Sequence, residues 1–377
     1  MSSYNLLPSK FHHVASPGYP ENISLNVLGK VPSYKRLSEI PVIKSCHIHL
    51  ESIDTSLQVG GICYSYYLGV LTEESNQLKI PHYEILPINS GLPSAAIHAQ
   101  ADFKASIQPE KAGNTKEFYE RCSAEVAAVK LFFPDIQSEA IQICMAAWLA
   151  ANCVADDILE SMPLEFGIIT LKETILKLQR SNEHEFCSQH LQISEEVSRE
   201  LADDICDMCQ GLLDELVYRQ GSVPNTLEAY LQFRGRTMGI HPFFTLIRTM
   251  GGPISKNYLS GLRDLQNRVS LVLGLQNDLV GLEKDRRNGE DMNAVLVSLK
   301  EKKGVDEDCV DFLLPRIVEE VCAIHNLCLS AAVEKYYEIA QFDGQAQGPT
   351  LETAILAFAD THLKWCTSSK RYQAKVE

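Results

Sequence analysis

The chain is short of positive charge, of long apolar runs and of ordered cysteine spacing, and each shortage closes off a class of function. Lysine and arginine total 34 against 49 aspartate and glutamate, a net charge of -15. Nucleic acids and anionic membranes favour basic stripes, so neither is expected as a partner. An anionic small molecule would be met by metal ions and a few chosen Lys or Arg. No window of about 18 uninterrupted apolar residues occurs, and residues 1–50 carry no basic stretch leading into an apolar one. No membrane insertion and a cytoplasmic location are therefore expected. Twelve cysteines are scattered without a framework, which fits reduced and mostly buried thiols. Repeats and low-complexity tracts are missing too.

What is present begins with bulk: 377 residues at 45% hydrophobic content can bury a core in one large or two modest domains. Residues 1–112 hold Pro, Gly, Ser and short alternating runs such as Ile85-Leu86-Pro87-Ile88, and read as loops and short helices packing on a main domain. From residue 113 to 377 the pattern turns helical. Its periodicity predicts helices over 115–133, 137–162, 165–180, 193–219, 225–238, 241–250, 255–287, 306–340 and 349–367. Strand patterns are almost absent there, so the expected class is all-α, a helical bundle around a central cavity.

Two acidic clusters sit at the polar ends of apolar helices: Asp156-Asp157-Ile158-Leu159-Glu160 and Asn277-Asp278-Leu279-Val280-Gly281-Leu282-Glu283-Lys284-Asp285. Residues four apart share a helix face, so Asp156 and Glu160 project together, as do Asn277, Gly281 and Asp285. Trp148, Leu149 and Asn152 lie below Asp156 in register, and Val269, Ser270, Leu273 and Gly274 lie below Asn277. Hard oxygen ligands suit magnesium, which takes a few carboxylates and completes its shell with phosphate oxygens. Two such stripes above apolar shafts point to a greasy substrate with a diphosphate head. The plainer alternative is a pair of helices ending at a surface, where acids are common.

Three other groupings look like sites and read as structure. Asp203-Asp204-Ile205-Cys206-Asp207 spells an aspartate-rich pattern, but the residues before it, Ser194 to Glu200, are polar and suit a solvated helix face. Cys206 and Cys209 form a CxxC with no second Cys or His pair at zinc spacing. Cys46, His47, His49 and Glu51 alternate along one segment without a partner cluster.

Together the two apolar-backed clusters resemble the aspartate-rich and Asn-Ser-Glu motifs of class I terpene synthases, especially fungal-type sesquiterpene cyclases, over roughly residues 115–377. The resemblance implies the class I isoprenoid synthase fold and an enzyme, a carbon-oxygen lyase. It would cyclise farnesyl diphosphate to a sesquiterpene with release of diphosphate. Asp156, Glu160, Asn277, Gly281 and Asp285 would be the metal positions, for a cluster of three Mg2+ with Mn2+ as a substitute. Gly281 departs from the family's Ser or Thr, and glycine offers no side-chain oxygen. Asp157, about a quarter turn from Asp156, would accept from an Arg instead of a metal.

The resemblance extends to diphosphate binding. In Tyr230 to Pro242, Arg234 is the first choice and Arg236 the second for an Arg that senses diphosphate ahead of a helix break. Gly239 and Pro242 support the break independently. Lys284, Arg371 and Tyr372 complete the diphosphate set, with Asp156, Arg234 and Arg371 in the catalytic roles. Trp148, Asn152, Leu273 and Trp365 are assigned to the substrate pocket, and Phe132, Phe133, Phe243 and Phe244 are read mainly as core. A homodimer is compatible. Competing readings are a geranylgeranyl diphosphate cyclase, a chain-elongating prenyltransferase and a non-catalytic helical scaffold.

Overall fold

The computed structural model describes residues 48–59, 62–71, 94–109, 116–178, 190–191, 193–250, 255–302, 307–340 and 350–369. The strands are β1 (Ile48–Val59) and β2 (Ile62–Leu71). The helices are α1 (Ser94–Ile107), α2 (Lys116–Phe132), α3 (Glu139–Ser161), α4 (Leu164–Leu178), α5 (Glu195–Arg219) and α6 (Leu227–Thr237). They continue as α7 (His241–Arg248), α8 (Lys256–Asn288), α9 (Ala294–Glu301), α10 (Glu307–Ala340) and α11 (Leu351–Ser368). The class is all-α, as expected, and one antiparallel hairpin is added to it.

Helix starts follow from capping chemistry. Ser138, Ser194, Thr226 and Ser255 each turn a side-chain oxygen onto the third amide downstream, opening α3, α5, α6 and α8. Helix α8 stops at Gly289, whose φ of 71° is left-handed and costs glycine nothing. Between α6 and α7 the chain breaks: Gly239 has φ 60° and Pro242 lies in the first turn of α7.

Helix α8 runs through the middle, packed against α6, α10 and α11, and buries Leu262, Leu265, Val269, Val272, Leu273 and Leu275. Helix α3 is long and apolar enough to cross a bilayer by length and composition, a property that the search for uninterrupted runs did not register. In the fold it packs against α1, α2 and α7.

The hairpin corrects the reading of residues 1–112 as loops and short helices. Leu68 and Val70 on β2 are buried in the same core as the helices, and β2 packs on α10. Its Gly69 amide donates to Asn326 Oδ1 of α10 at 2.7 Å. Cys46 and His47 lie outside the described residues, as do the side chains of His49 and Glu51.

Candidate active site

Asp156 and Asn277, from helices far apart in sequence, line one cavity of ≈ 100 Å³. Helix α3 supplies Leu149, Asn152, Cys153 and Asp156; α5 supplies Glu215; α6 supplies Arg234 and Thr237; α8 supplies Asn277. The same lining is rich in rings, with Phe132 of α2, Phe243 of α7, and Phe358, His362 and Trp365 of α11. Their rings pack edge to face or tilted, Phe132 against Phe358 at 4.9 Å and against Trp365 at 5.4 Å.

Arg234 faces the cavity from a buried ion pair. Its Nε and Nη2 donate to Asp278 Oδ1 at 3.1 and 2.7 Å, and its Nη1 donates to Thr237 Oγ1 at 3.0 Å. Asp278 Oδ2 accepts from the Tyr230 hydroxyl at 2.8 Å and the Ala294 amide at 3.0 Å. Burial pushes this carboxyl up, opposed by the charge of Arg234 and by the hydrogen bonds from Tyr230, Ala294 and Arg234. Burial alone would lower Arg234; Asp278 outweighs it and keeps the guanidinium charged. A 100° step along α8 separates Asn277, turned to the cavity, from Asp278, turned to α6.

The rim's two acidic clusters differ in their place relative to the cavity. Asp156 is half-buried on the cavity wall, whereas Asp157 is exposed. Asp285 does not line the cavity: Asn293 Nδ2 donates to its Oδ2 at 2.8 Å, and Lys284 Nζ lies 3.6 Å from its Oδ1. Its carboxyl leans over Gly281, where an added Cβ would meet Asp285 Oδ2 at 3.3 Å. Burial pushes Asp285 up to about 7, with Asn293 pulling the other way. Glu215 is also pushed up to about 7 by burial, opposed by the charge of Arg234 and reinforced by that of Asp156.

The remaining sequence candidates divide. Asn152 lines the cavity and donates to the Met238 carbonyl at 3.1 Å, and Trp365 lines it as well. Trp148 does not reach the cavity; it is buried beneath it and donates to the Gly239 carbonyl at 2.7 Å, so α3 holds both carbonyls of the helix break. Leu273 is fully buried in the core and also stays off the cavity wall. Arg236, 200° around α6 from Arg234, faces α5 and pairs with Asp214. Lys284 turns to Asp285 and Glu290, at 3.6 and 3.5 Å. The side chain of Glu160, and Arg371 and Tyr372 entirely, lie outside the described residues.

The Asp203 cluster is not the solvated face that its polar surroundings predict. Asp203 is exposed, but Asp204 is buried and accepts from Arg263 Nη1 and Thr245 Oγ1, both at 2.6 Å. Polar residues upstream, such as Glu200, serve the same cross-helix pairing, to Arg248 and Arg263. The void beside Asp204 and Asp207 has no room for a water, ≈ 0 Å³.

Sequence reasoning missed Glu215, Thr237, Phe358 and His362. Phe358, His362 and Trp365 follow i, i+4, i+7 on α11, so helical register from Trp365 would have found the first two. Glu215 carries only a faint signal, a second acid within the apolar stretch Leu212 to Val217.

The donor set at the rim is all oxygen. Among the described residues no three His, Cys, Asp or Glu gather into a ready-made cage. Such a sparse set suits magnesium, whose shell is completed by water and substrate phosphate, and excludes a structural zinc site. Asp156 and Asn277 fit that role, while Asp285 would have to leave Asn293 to join them.

Known proteins resemble this chain in one sequence segment and in fold. Residues 147–321, which include both acidic clusters, match the family model described as terpene synthase family 2, C-terminal metal binding. No curated protein matches. Among solved structures the chain is similar to linalool/nerolidol synthase from Streptomyces clavuligerus in complex with 2-fluorogeranyl diphosphate. The identity is 17% and the TM-score 0.50, over 76% of this chain and 100% of that one. It is also similar to 2-methylisoborneol synthase from Streptomyces coelicolor A3(2), at 14% identity and TM-score 0.52, over 77% and 93% of the two chains. The architecture is thus the all-α class I terpene synthase fold, with a segment matching that family's metal-binding region laid across α3 to α10.

Proposed function

We propose that this chain is a magnesium-dependent terpene cyclase that ionises farnesyl diphosphate, releases diphosphate and closes the fifteen-carbon chain into a sesquiterpene, as the fungal-type cyclases do. The observation that carries the reading is the meeting of Asp156 and Asn277 at one cavity that Phe132, Phe243, Phe358 and Trp365 also line. Acids at two unrelated helix ends would share no void.

Asp156 and Asn277, with Asp285 once freed from Asn293, would hold the metal ions. When bound, Mg2+ supplies Lewis-acid neutralisation of the departing diphosphate. Arg234 lies beside these residues, already charged and aimed by Asp278 and Thr237, so it meets developing negative charge without reorganising. Behind it the rings of Phe132, Phe243, Phe358 and Trp365 exclude water and present π-faces, each of which attracts a desolvated cation by up to about 2 kcal/mol. Arg371 and Tyr372 would add donors to the diphosphate.

Purified protein incubated with Mg2+ and farnesyl diphosphate should release diphosphate and yield a cyclic volatile product. Geranylgeranyl diphosphate, and isopentenyl diphosphate added as co-substrate, serve as competing arms for a diterpene cyclase and a chain-elongating enzyme. Replacing both Asp156 and Asn277 by Ala should abolish release while helical circular dichroism is retained. A fully active double variant would rule the assignment out.

A further inference from the structure

A file of hydrogen-bonded side chains starts at the cavity-lining His362 and runs through Gln276 and His325 to Asn326. Gln276 Nε2 lies 2.9 Å from the Ala359 carbonyl, and a carbonyl only accepts, so the amide turns its NH2 that way. Gln276 Oε1 therefore faces His362 Nδ1, at 2.9 Å, and Nδ1 carries the proton. The far end is fixed independently. The Gly69 amide only donates, so the Asn326 atom 2.7 Å away is its oxygen, and His325 Nδ1, 2.9 Å from that oxygen, is a donor too. His325 Nε2 is then left to accept from Gln276 Nε2 at 3.3 Å. Both ends give one answer: His362 Nε2 keeps a lone pair.

That lone pair is not consumed by its neighbour. Cys366 Sγ is 3.6 Å from each ring nitrogen, and an atom equidistant from the two lies far off either lone-pair axis. The ring borders the cavity, with Phe132, Phe358 and Trp365 at centroid distances of 6.1, 5.9 and 5.9 Å.

Building on the function proposed above, we propose that His362 Nε2 is the base that ends the reaction, taking a proton from a carbon next to the cationic centre. The C–H bond breaks and its electron pair becomes the second bond of an alkene. The proton forms an N–H bond on Nε2, and the positive charge passes from the hydrocarbon to an imidazolium. When the cavity opens, the imidazolium returns the proton to water. Burial, with the charge of Arg234 adding to it, holds the ring down at about 3, so the acceptor is neutral and vacant when the cation forms. A carbocation is a far stronger acid than any imidazolium, so the transfer runs downhill. Gln276 is a positioning residue that fixes the tautomer.

Two variants separate base from packing. His362→Asn retains an amide that can donate toward Gln276 and lacks a basic nitrogen; His362→Phe retains the aromatic wall. With farnesyl diphosphate and Mg2+, the share of the main product per diphosphate released should fall about 100-fold in each, whatever the total rate of release. Hydrocarbons deprotonated elsewhere, or water-trapped alcohols, should replace it. Gln276→Leu should move the product ratio in the same direction by a smaller factor. Unchanged product ratios in both His362 variants, with diphosphate release intact, overturn the base. A wild type that releases no diphosphate overturns the cyclase reading itself.

Discussion

Two aspartate pairs, Asp156-Asp157 on α3 and Asp203-Asp204 on α5, are spelled alike and serve opposite ends. Asp156 stands on the wall of a ≈ 100 Å³ cavity with Asn277 and Arg234. Asp204 is buried against Arg263 and Thr245 beside a void of ≈ 0 Å³. The first acid follows an apolar shaft and arrives on the cavity wall. The second follows Glu200, whose own partners are Arg248 and Arg263, and so arrives among cations. Whether a carboxylate can act as a ligand or a brace depends on where its helix delivers it, onto a cavity wall or among buried cations.

The comparison breaks most sharply at Asp204. Asp204→Ala removes one of the two carboxylates on Arg263 and leaves the buried Thr245 hydroxyl without its acceptor, which should cost about 1–3 kcal/mol of unfolding free energy, read as a lower urea midpoint with an unchanged slope. Diphosphate release per folded molecule should stay at the wild-type rate. Asp156→Ala is the mirror image: a loss of about 10²- to 10³-fold in diphosphate release, with the helical circular dichroism retained. If both variants lose activity alike, or both unfold alike, the contrast between the pairs fails.

Asp207 sharpens the same contrast through pH. Burial raises its carboxyl to about 6, with the charge of Arg236 opposing and that of Asp204 adding to the rise. A folded value above the unfolded value of about 4 means that the folded state prefers the proton. The ionised form therefore destabilises the fold above pH 6, and that cost fades as pH falls toward 4. Asp207→Asn should raise stability by about 2 kcal/mol at pH 7.5 and by almost nothing at pH 4. A stability gain independent of pH would contradict this origin.

The sequence revealed the helices around the site well and the N-terminal hairpin and α9 poorly, for reasons visible in particular residues. Serine and threonine caps at 138, 194, 226 and 255 mark the helices on which the site is built, so their starts were legible within two residues. Helix α9, eight residues opened by Asn293, is no longer than a strand, and periodicity cannot separate the two at that length. The hairpin was hidden by turn-rich flanks, although β2 buries Leu68 and Val70. At the site, spacing placed Asp156 and Asn277 correctly as cavity residues but could not tell that Asp278 would hold Arg234. Ion pairs join side chains 44 positions apart here, and no local pattern encodes them.

Gly281 offers the finest test, because it asks whether the α8 side of the rim can be made to resemble the family pattern. Gly281→Ser supplies the oxygen that glycine lacks. Serine in a helix interior is more favourable than glycine by about 0.5 kcal/mol. Against that, the new Cβ would sit 3.3 Å from Asp285 Oδ2, so the carboxyl must give by a few tenths of an ångström and loosen its 2.8 Å bond from Asn293. The two effects nearly cancel, and the melting temperature should stay within about 2 °C of wild type. The same displacement frees Asp285 toward the rim while a hydroxyl appears one turn from Asn277. The Mg2+ concentration for half-maximal diphosphate release should therefore fall severalfold, about 1 kcal/mol of metal binding. A rise in that concentration would mean that Asp285 belongs to the brace built on Asn293 and Lys284, and that Asp156 and Asn277 hold the metal without it.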